Sequence, residues 1–464
     1  MNVAAERTER FLIISLAIGF IVQQLTHLAW MPWVLGVIVF TTIIVLLPKI
    51  RGITMILSAA FLVTGIGILW VQRAPVQTWL DAAAVNITLV TLFVFAPLFG
   101  IPVRSPRFVE ALKWLYRTRV KGKGSFFIAS QLLTQILAVF LNVGSISVVY
   151  HLASIHPSSR SWRILGNALN RGFAAAIYWS PYFAAMALVT SALKLAWIDL
   201  LPYVLGFSLL SFVLSFLVEL PFLMDRGDAS REVAAGSEAE EGAADEAAKG
   251  ESVLRSRLWQ LALYLILAII IVLSMEQLLP LPIVIITVFA AVLYPLIWCL
   301  LSRSFDAYKQ GATDHFVRAL PSLKKEITLF LTAGFFSGAI AQTGLGAAIP
   351  ALLAAVPLPL PIVFTISAML LVFGTSLIGS HPIIVVTILA TTVDPASVGI
   401  SPLFFGVLLL GSWGISNTIS PAAAVNNLIS SLLKRDVLEL AFKNYKFAAL
   451  LLILLPIYLF LVNV

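Results

Sequence analysis

The sequence predicts an all-α polytopic membrane protein, with about eleven transmembrane helices and two re-entrant hairpins arranged as an inverted structural repeat. Three observations predict it. Of 464 residues, 60% are hydrophobic and only 11% are charged, with a mean hydropathy of +1.00, so a soluble globule of this chain could not cover its surface. Apolar runs of roughly 17–25 residues recur along the chain, each matching a hydrocarbon core of roughly 30 Å. The second half also repeats the first. Thr91, Leu92, Phe93, Ala96 and Phe99 recur 237 residues later as Thr328, Leu329, Phe330, Ala333 and Phe336. Gly144 and Ser145 recur as Gly379 and Ser380. Ser180, Pro181, Ala184, Ser191, Leu193 and Lys194 recur as Ser420, Pro421, Ala424, Ser431, Leu433 and Lys434. Three blocks in one order at a nearly constant offset are hard to obtain from apolar composition alone.

The apolar runs place spans at 11–29, 32–48, 52–71, 83–102, 164–194, 196–222, 258–275, 279–302, 327–355, 400–433 and 446–462. Segments 125–155 and 360–392 are hairpins that enter and leave on one side. The N-terminus is polar, with Arg7 and Arg10 ahead of a long first span, so no cleavable signal is expected. With that end in the cytoplasm, 28 of the 30 Lys and Arg residues fall at the inner face, leaving Arg73 and Lys194 outside. The formal net charge of +8 is then a topology signal, and nucleic acid is not an expected partner. Making the first hairpin a full crossing would export the basic residues up to the second. The span at 83–102 runs outward to inward and its counterpart at 327–355 the reverse, which makes the repeat inverted.

Five sections follow. Residues 1–81 are leading scaffold helices; 82–222 form repeat one, with hairpin 125–155, broken helix 164–194 and a closing helix; 223–257 are an acidic cytoplasmic linker; 258–325 are scaffold helices and a basic arm; 326–464 form repeat two, with hairpin 360–392, broken helix 400–433 and a closing helix. Asp225 to Glu251 hold nine acidic and three basic residues among Ala, Gly and Ser, too polar to bury a core. Loops 103–124 and 303–325 are basic, with Phe108, Leu112 and Leu115 at helical spacing, and read as arms lying on the inner leaflet against membrane lipids. The lone Cys299 excludes an intramolecular disulfide.

Chemistry is expected where apolar runs are interrupted, because non-helical backbone survives at membrane depth only when buried in protein or lining a wet cavity. Four interruptions stand out: Asn142 to Ser147, including Gly144, Ser145 and Ser147; Tyr178, Trp179, Ser180 and Pro181; Gly374, Thr375 and Ser376 with Gly379, Ser380, His381 and Pro382; and Gly414 to Pro421, including Ser416, Asn417, Thr418 and Ser420. Pro181 and Pro421 lack an N–H and release upstream carbonyls. Those carbonyls, with Ser and Thr hydroxyls, suit a hard cation such as Na⁺, expected near Asn142, Ser145, Thr375, Ser376, Ser416 and Thr418. The N-termini of the following half-helices suit a carboxylate or oxyanion, with Asn417 and Asn142 as amide donors.

Blander readings stand beside these. A Ser-Pro pair can be a simple kink, and Gly144 and Gly379 can be close-packing residues. Of Asn426 and Asn427, one is expected to face the cavity and the other to bond a neighbouring helix. Arg171 reads as a side chain snorkelling to the inner surface. His381 is either a satisfied structural histidine or a proton carrier. No Asp or Glu falls at mid-span, Asp199 and Glu219 lying near helix ends, so proton-pump mechanisms built on intramembrane carboxylates are not supported. Metal-ligand pairs, phosphate loops and nucleophile motifs are missing too, so an enzyme is not expected. The reading is an ion-coupled carrier of a small anionic solute; the alternatives are a lipid flippase or membrane-embedded enzyme, and a sensor or assembly scaffold.

The plan of span, hairpin, proline-broken helix and closing helix, repeated inverted, resembles the ion transporter superfamily of divalent anion/sodium symporters and arsenite and citrate carriers. The run Leu329 to Leu345, ending in Gln342, Thr343, Gly344 and Leu345, is similar to the span preceding a hairpin there. Dicarboxylate-type members carry Ser-Asn-Thr at both hairpin tips, whereas here Ser416, Asn417 and Thr418 lie in the broken helix. The resemblance implies a homodimer in a bacterial cytoplasmic membrane, with a fixed scaffold and a mobile transport domain that slides as an elevator. It leaves Na⁺ or H⁺ as the coupling ion.

Overall fold

A computed structural model of the chain describes residues 3–224 and 244–462. Residues 225–243, most of the expected acidic linker, lie outside them. Among the described residues there are helices and turns but no strand. The first half runs α1 (Val3–Thr26), α2 (Met31–Leu46), α3 (Ile53–Val71), a span kinked at Asn86 into α4 (Val76–Ala84) and α5 (Ile87–Phe95), then an amphipathic α6 (Pro106–Thr118). Hairpin one follows as α7 (Gly122–Leu141) and α8 (Gly144–Ala153), the first broken helix as α9 (Trp162–Trp179) and α10 (Ala184–Leu193), and the closing helix as α11 (Trp197–Leu223). The second half begins with α12 (Ala244–Leu278), α13 (Ile283–Leu301) and α14 (Phe305–Asp314). A bent span, α15 (Lys324–Ala341) and α16 (Leu345–Leu353), leads to hairpin two, α17 (Leu360–Leu377) and α18 (Pro382–Thr392). The second broken helix is α19 (Pro402–Ile419) and α20 (Ala424–Leu433), closed by α21 (Val437–Lys443) and α22 (Tyr445–Leu461).

Eleven described helices are long and apolar enough to cross a membrane, or 13 when the two bent pairs, at 72° and 50°, each count as one span. Two of these are α7 and α17, which fold back onto the short apolar helices α8 and α18 as re-entrant hairpins do. Removing them from the 13 leaves the expected eleven. Boundaries differ modestly. Hairpin one begins at Gly122 rather than 125, the last span gains Val437–Lys443, and 258–275 is the inner part of the longer α12. These extensions are polar or interfacial turns that hydropathy alone excludes.

The broken helices are the innermost elements, 89% and 94% buried, against 17% for α3, whose sides face outward. Their breaks share one geometry. Ser180 has φ −70, ψ 126 and Ser420 has φ −70, ψ 121, the extended conformation that a following proline imposes on its predecessor. Both second halves then end on a left-handed lysine, Lys194 at φ 54 and Lys434 at φ 53. The breaks are shorter than the interruptions read from sequence. Tyr178 and Trp179, Gly374 to Ser376 and Gly414 to Ile419 remain helical, and the chain leaves α7 only at Asn142 and Val143. Serine, threonine and glycine lower helix propensity, yet burial among other helices overrides it.

Gly414 is a packing residue. A Cβ there would lie 2.2 Å from the Tyr178 ring, so the crossing of α9 and α19 depends on its missing side chain. Arg171 does not snorkel: its side chain is fully buried, with Nη2 3.1 Å from Glu219 Oε2. Arg163 Nε and Asn167 Nδ2 complete the carboxylate's shell at 2.9 and 3.0 Å. Arg171 also donates to Asn444 Oδ1 at 2.8 Å and to Ser215 O at 3.1 Å. Glu219 lies near a helix end in sequence but is itself 0% exposed. A guanidinium stays buried only when such partners compensate its desolvation.

Candidate functional site

The four chain breaks converge on a cavity of about 810 Å³. Hairpin one contributes Asn142, Val143 and Gly144; hairpin two contributes His381; the broken helices contribute Phe183 to Ala185 on one side and Trp413, Asn417, Ala424 and Val425 on the other. The opposite wall comes from Phe93, Pro97, Ile101 and Arg104, from α14 and the π-helical turn after it, including Gln310, Asp314, His315 and Arg318, and from Glu326 and Phe330 of α15. The exposed α14 segment forms the mouth and buried Asn417 the depth.

Donors dominate the deep end. Ala184 and Ala424 each begin a helix, so their first N–H groups lack intrahelical acceptors and carry the positive end of the helix dipole. Asn417 is 8% exposed, and its Nδ2 is buried without a hydrogen-bond partner. Such an orphan is costly unless something fills the cavity and accepts from it. His381 caps α18, its Nδ1 accepting from Ile383 N at 3.2 Å; a neutral ring bonded this way carries its proton on Nε2. The ring is fixed by edge contacts with Phe330 and Trp413, centroids 5.5 and 5.8 Å away. His381 is therefore a capping residue that also faces the cavity.

The remaining expected site residues lie around this cavity, not on it. Ser145 is buried behind the hairpin tip and donates to Asn142 O at 2.8 Å. Ser147 sits farther along α8, and Gly379 and Ser380 at the tip of hairpin two. Ser180 Oγ caps the break by accepting from Tyr182 N at 3.3 Å, and Pro181 and Pro421 shape the two breaks. Thr375 and Ser376 donate to Leu371 O and Val372 O, and Ser416 and Thr418 to Ser412 O and Ile415 O. Ser420 Oγ is buried without a partner. Of the six residues expected to surround Na⁺, only Asn142 lines the cavity.

Asn426 and Asn427 both serve the break. Asn426 Nδ2 donates to Asn417 O at 3.0 Å and Ser420 O at 2.8 Å, while Asn427 Nδ2 donates to Pro421 O at 3.0 Å. Neither lines the cavity, contrary to the expectation for one of them. Thr418 O accepts from Asn170 at 3.1 Å. Carbonyls that the sequence assigned to a cation thus already carry amide donors.

Sequence reasoning missed the mouth. The sequence places loop 303–325 on the leaflet surface, yet it supplies much of the lining. Burial lowers the pKa of His315, with the nearby Arg104 charge acting in the same direction and backbone bonds to Val94 and Phe93 opposing it. The Arg104 guanidinium leans over hairpin one: a Cβ added to Gly144 would lie 2.9 Å from its Nη2.

No protein-family model matches the sequence, and no curated protein matches it either. The architecture does have solved counterparts. One is the crystal structure of the Alcanivorax borkumensis YdaH transporter, described as having an unusual topology, with TM-score 0.53 and 17% identity over 84% of this chain and 88% of that one. At that identity the likeness is one of fold: this all-α, multi-pass chain is folded like a known membrane transporter.

Proposed function

We propose that this chain is a secondary active transporter of a small anionic solute, a carboxylate or oxyanion, coupled to Na⁺ or H⁺. The observation that carries the reading is the unpartnered, buried amide of Asn417, a residue lining the cavity where two half-helix N-termini and both hairpin tips meet. At the Asn417 end of the cavity a buried amide and two positive dipole ends converge, and an anion answers all of them at once. The fold likeness to a transporter and the repeated break geometry support alternating access around this point.

Within this reading, the hairpins and broken helices form the moving unit and α1 to α5, α12, α13 and α15 the fixed one, in the manner of an elevator and of the ion transporter superfamily. The protein then works as a homodimer in a bacterial inner membrane, its N-terminus cytoplasmic, and the cavity mouth at α14 is the inward opening.

The test is thermal stability of the purified protein against carboxylates, oxyanions and neutral metabolites, with Na⁺ or K⁺ as the only cation. A ligand of the native state raises the melting temperature by mass action. One class of anion should do so in the wild type and not in Asn417→Ala. Stabilisation by neutral metabolites alone, unaffected by that substitution, overturns the proposal.

A further inference from the structure

Arg104 and Glu326 line one cavity from separate elements, the end of the kinked span and the first turn of α15. Among the described residues, no ion pair involves either of them. The other guanidinium in the lining, Arg318, is held by Asp314 at 2.8 Å. Glu326 Oε2 is buried and has no hydrogen-bond partner. A carboxylate oxygen removed from water without a donor is costly, while the Arg104 guanidinium is exposed on the cavity wall and open to an anion. Two opposite charges that share a cavity without meeting find their partners at once if the occupant carries both signs. The stacked rings of Phe93 and Phe330, centroids 5.4 Å apart, line the same cavity and offer an apolar flank to the middle of such a molecule.

We propose that the solute is a zwitterion of the amino-acid or short-peptide class. Its carboxylate is held by Arg104 and the tip of hairpin one, and its ammonium by Glu326. Arg104 Nη2 reaches Gly144 closely enough that any side chain there would displace it, so one carboxylate spans the guanidinium and the start of α8. Recognition of this kind disfavours a molecule lacking the ammonium, because the Glu326 oxygen then stays buried without a partner. The inference rests on the anion reading of the cavity.

The test measures dissociation constants by titration calorimetry with the purified full chain, using the common amino acids, a set of dipeptides, simple dicarboxylates, and the deaminated carboxylate matched to each zwitterion that binds. At least one zwitterion should bind ten-fold or more tighter than its deaminated counterpart. Glu326→Gln should bring that ratio to within about two-fold, and Arg104→Gln should weaken both ligands. Should Glu326→Gln not yield folded protein, the wild-type ratio and Glu326→Asp decide. Carboxylates binding as well as their amino counterparts, or a ratio that survives Glu326→Gln, sinks the zwitterion assignment and leaves the anion reading standing. Failure of every carboxylate and zwitterion to bind sinks both.

Discussion

Asn170 of the first repeat donates its side-chain amide to Thr418 O of the second at 3.1 Å, and also to Asn426 Oδ1. Asn426 in turn holds the carbonyls of Asn417 and Ser420. Two asparagines thus do for the second break what water does at an exposed helix end. The first break is closed differently, by Trp197 Nε1 donating to Trp179 O at 2.9 Å. The repeats share backbone geometry, and the second leaves the amide of cavity-lining Asn417 without a partner.

Asn426→Leu should cost about 2 kcal/mol, since three buried polar groups lose a partner together. A lowered melting temperature in detergent would register it. Asn426→Leu should also reduce ligand binding, because Asn417 is positioned by the same bonds; an unchanged affinity in folded Asn426→Leu protein would show that Asn417 is held otherwise.

Glu219→Gln removes the charge that compensates Arg171 at 3.1 Å and Arg163 at 2.9 Å. The expected loss is about 3–5 kcal/mol, as for other broken buried pairs. The double substitution Arg171→Met and Glu219→Met should be less harmful than Glu219→Gln alone. Size-exclusion profiles and melting curves of the variants compare these losses; equal damage in the two would argue against charge compensation.

Gly414→Ala should destabilise by about 1–3 kcal/mol through overpacking, since its Cβ would meet the Tyr178 ring at 2.2 Å. Tyr178→Leu in the same chain should recover part of that loss. Thermal unfolding of both variants measures the recovery, and its absence would place the strain elsewhere.

His315 gives a pH signature. Its pKa in the folded chain is lowered from the ordinary 6.5, first by burial and then by Arg104. The unfolded chain therefore binds its proton first as the pH falls, so this residue's contribution is flat above about pH 6.5 and is lost progressively below it. His315→Gln should flatten the difference between melting temperatures at pH 7.5 and 5.5; an identical slope in wild type and variant would assign the acid sensitivity to carboxylates.

Span count, hairpins and the two proline breaks were legible because each follows from a local rule: hydropathy length for spans, and the conformational effect of Pro181 and Pro421 on Ser180 and Ser420. Arg171 was misread because its partner, Glu219, lies on another helix, 48 positions away, and only packing brings them together. Arg104 and Glu326 are not legible in the sequence as cavity residues. Basic interfacial segments satisfy the positive-inside rule, which gives no reason to look for a second role, and an acid in the first turn of a helix is an ordinary dipole partner. Asn417 is expected at the site from sequence, while an amide left without an acceptor is visible only once Asn426 and Asn170 are seen to take the neighbouring carbonyls.

The central claim is that anions are carried through the cavity around Asn417. Capacitive current from proteoliposomes on a solid-supported membrane, after a concentration jump of each stabilising anion, tests it most directly. The account predicts a transient, saturable current for a narrow set of anionic or zwitterionic solutes, absent in Asn417→Ala. A sustained conductance shared by unrelated ions, or currents indifferent to Asn417→Ala, would contradict it.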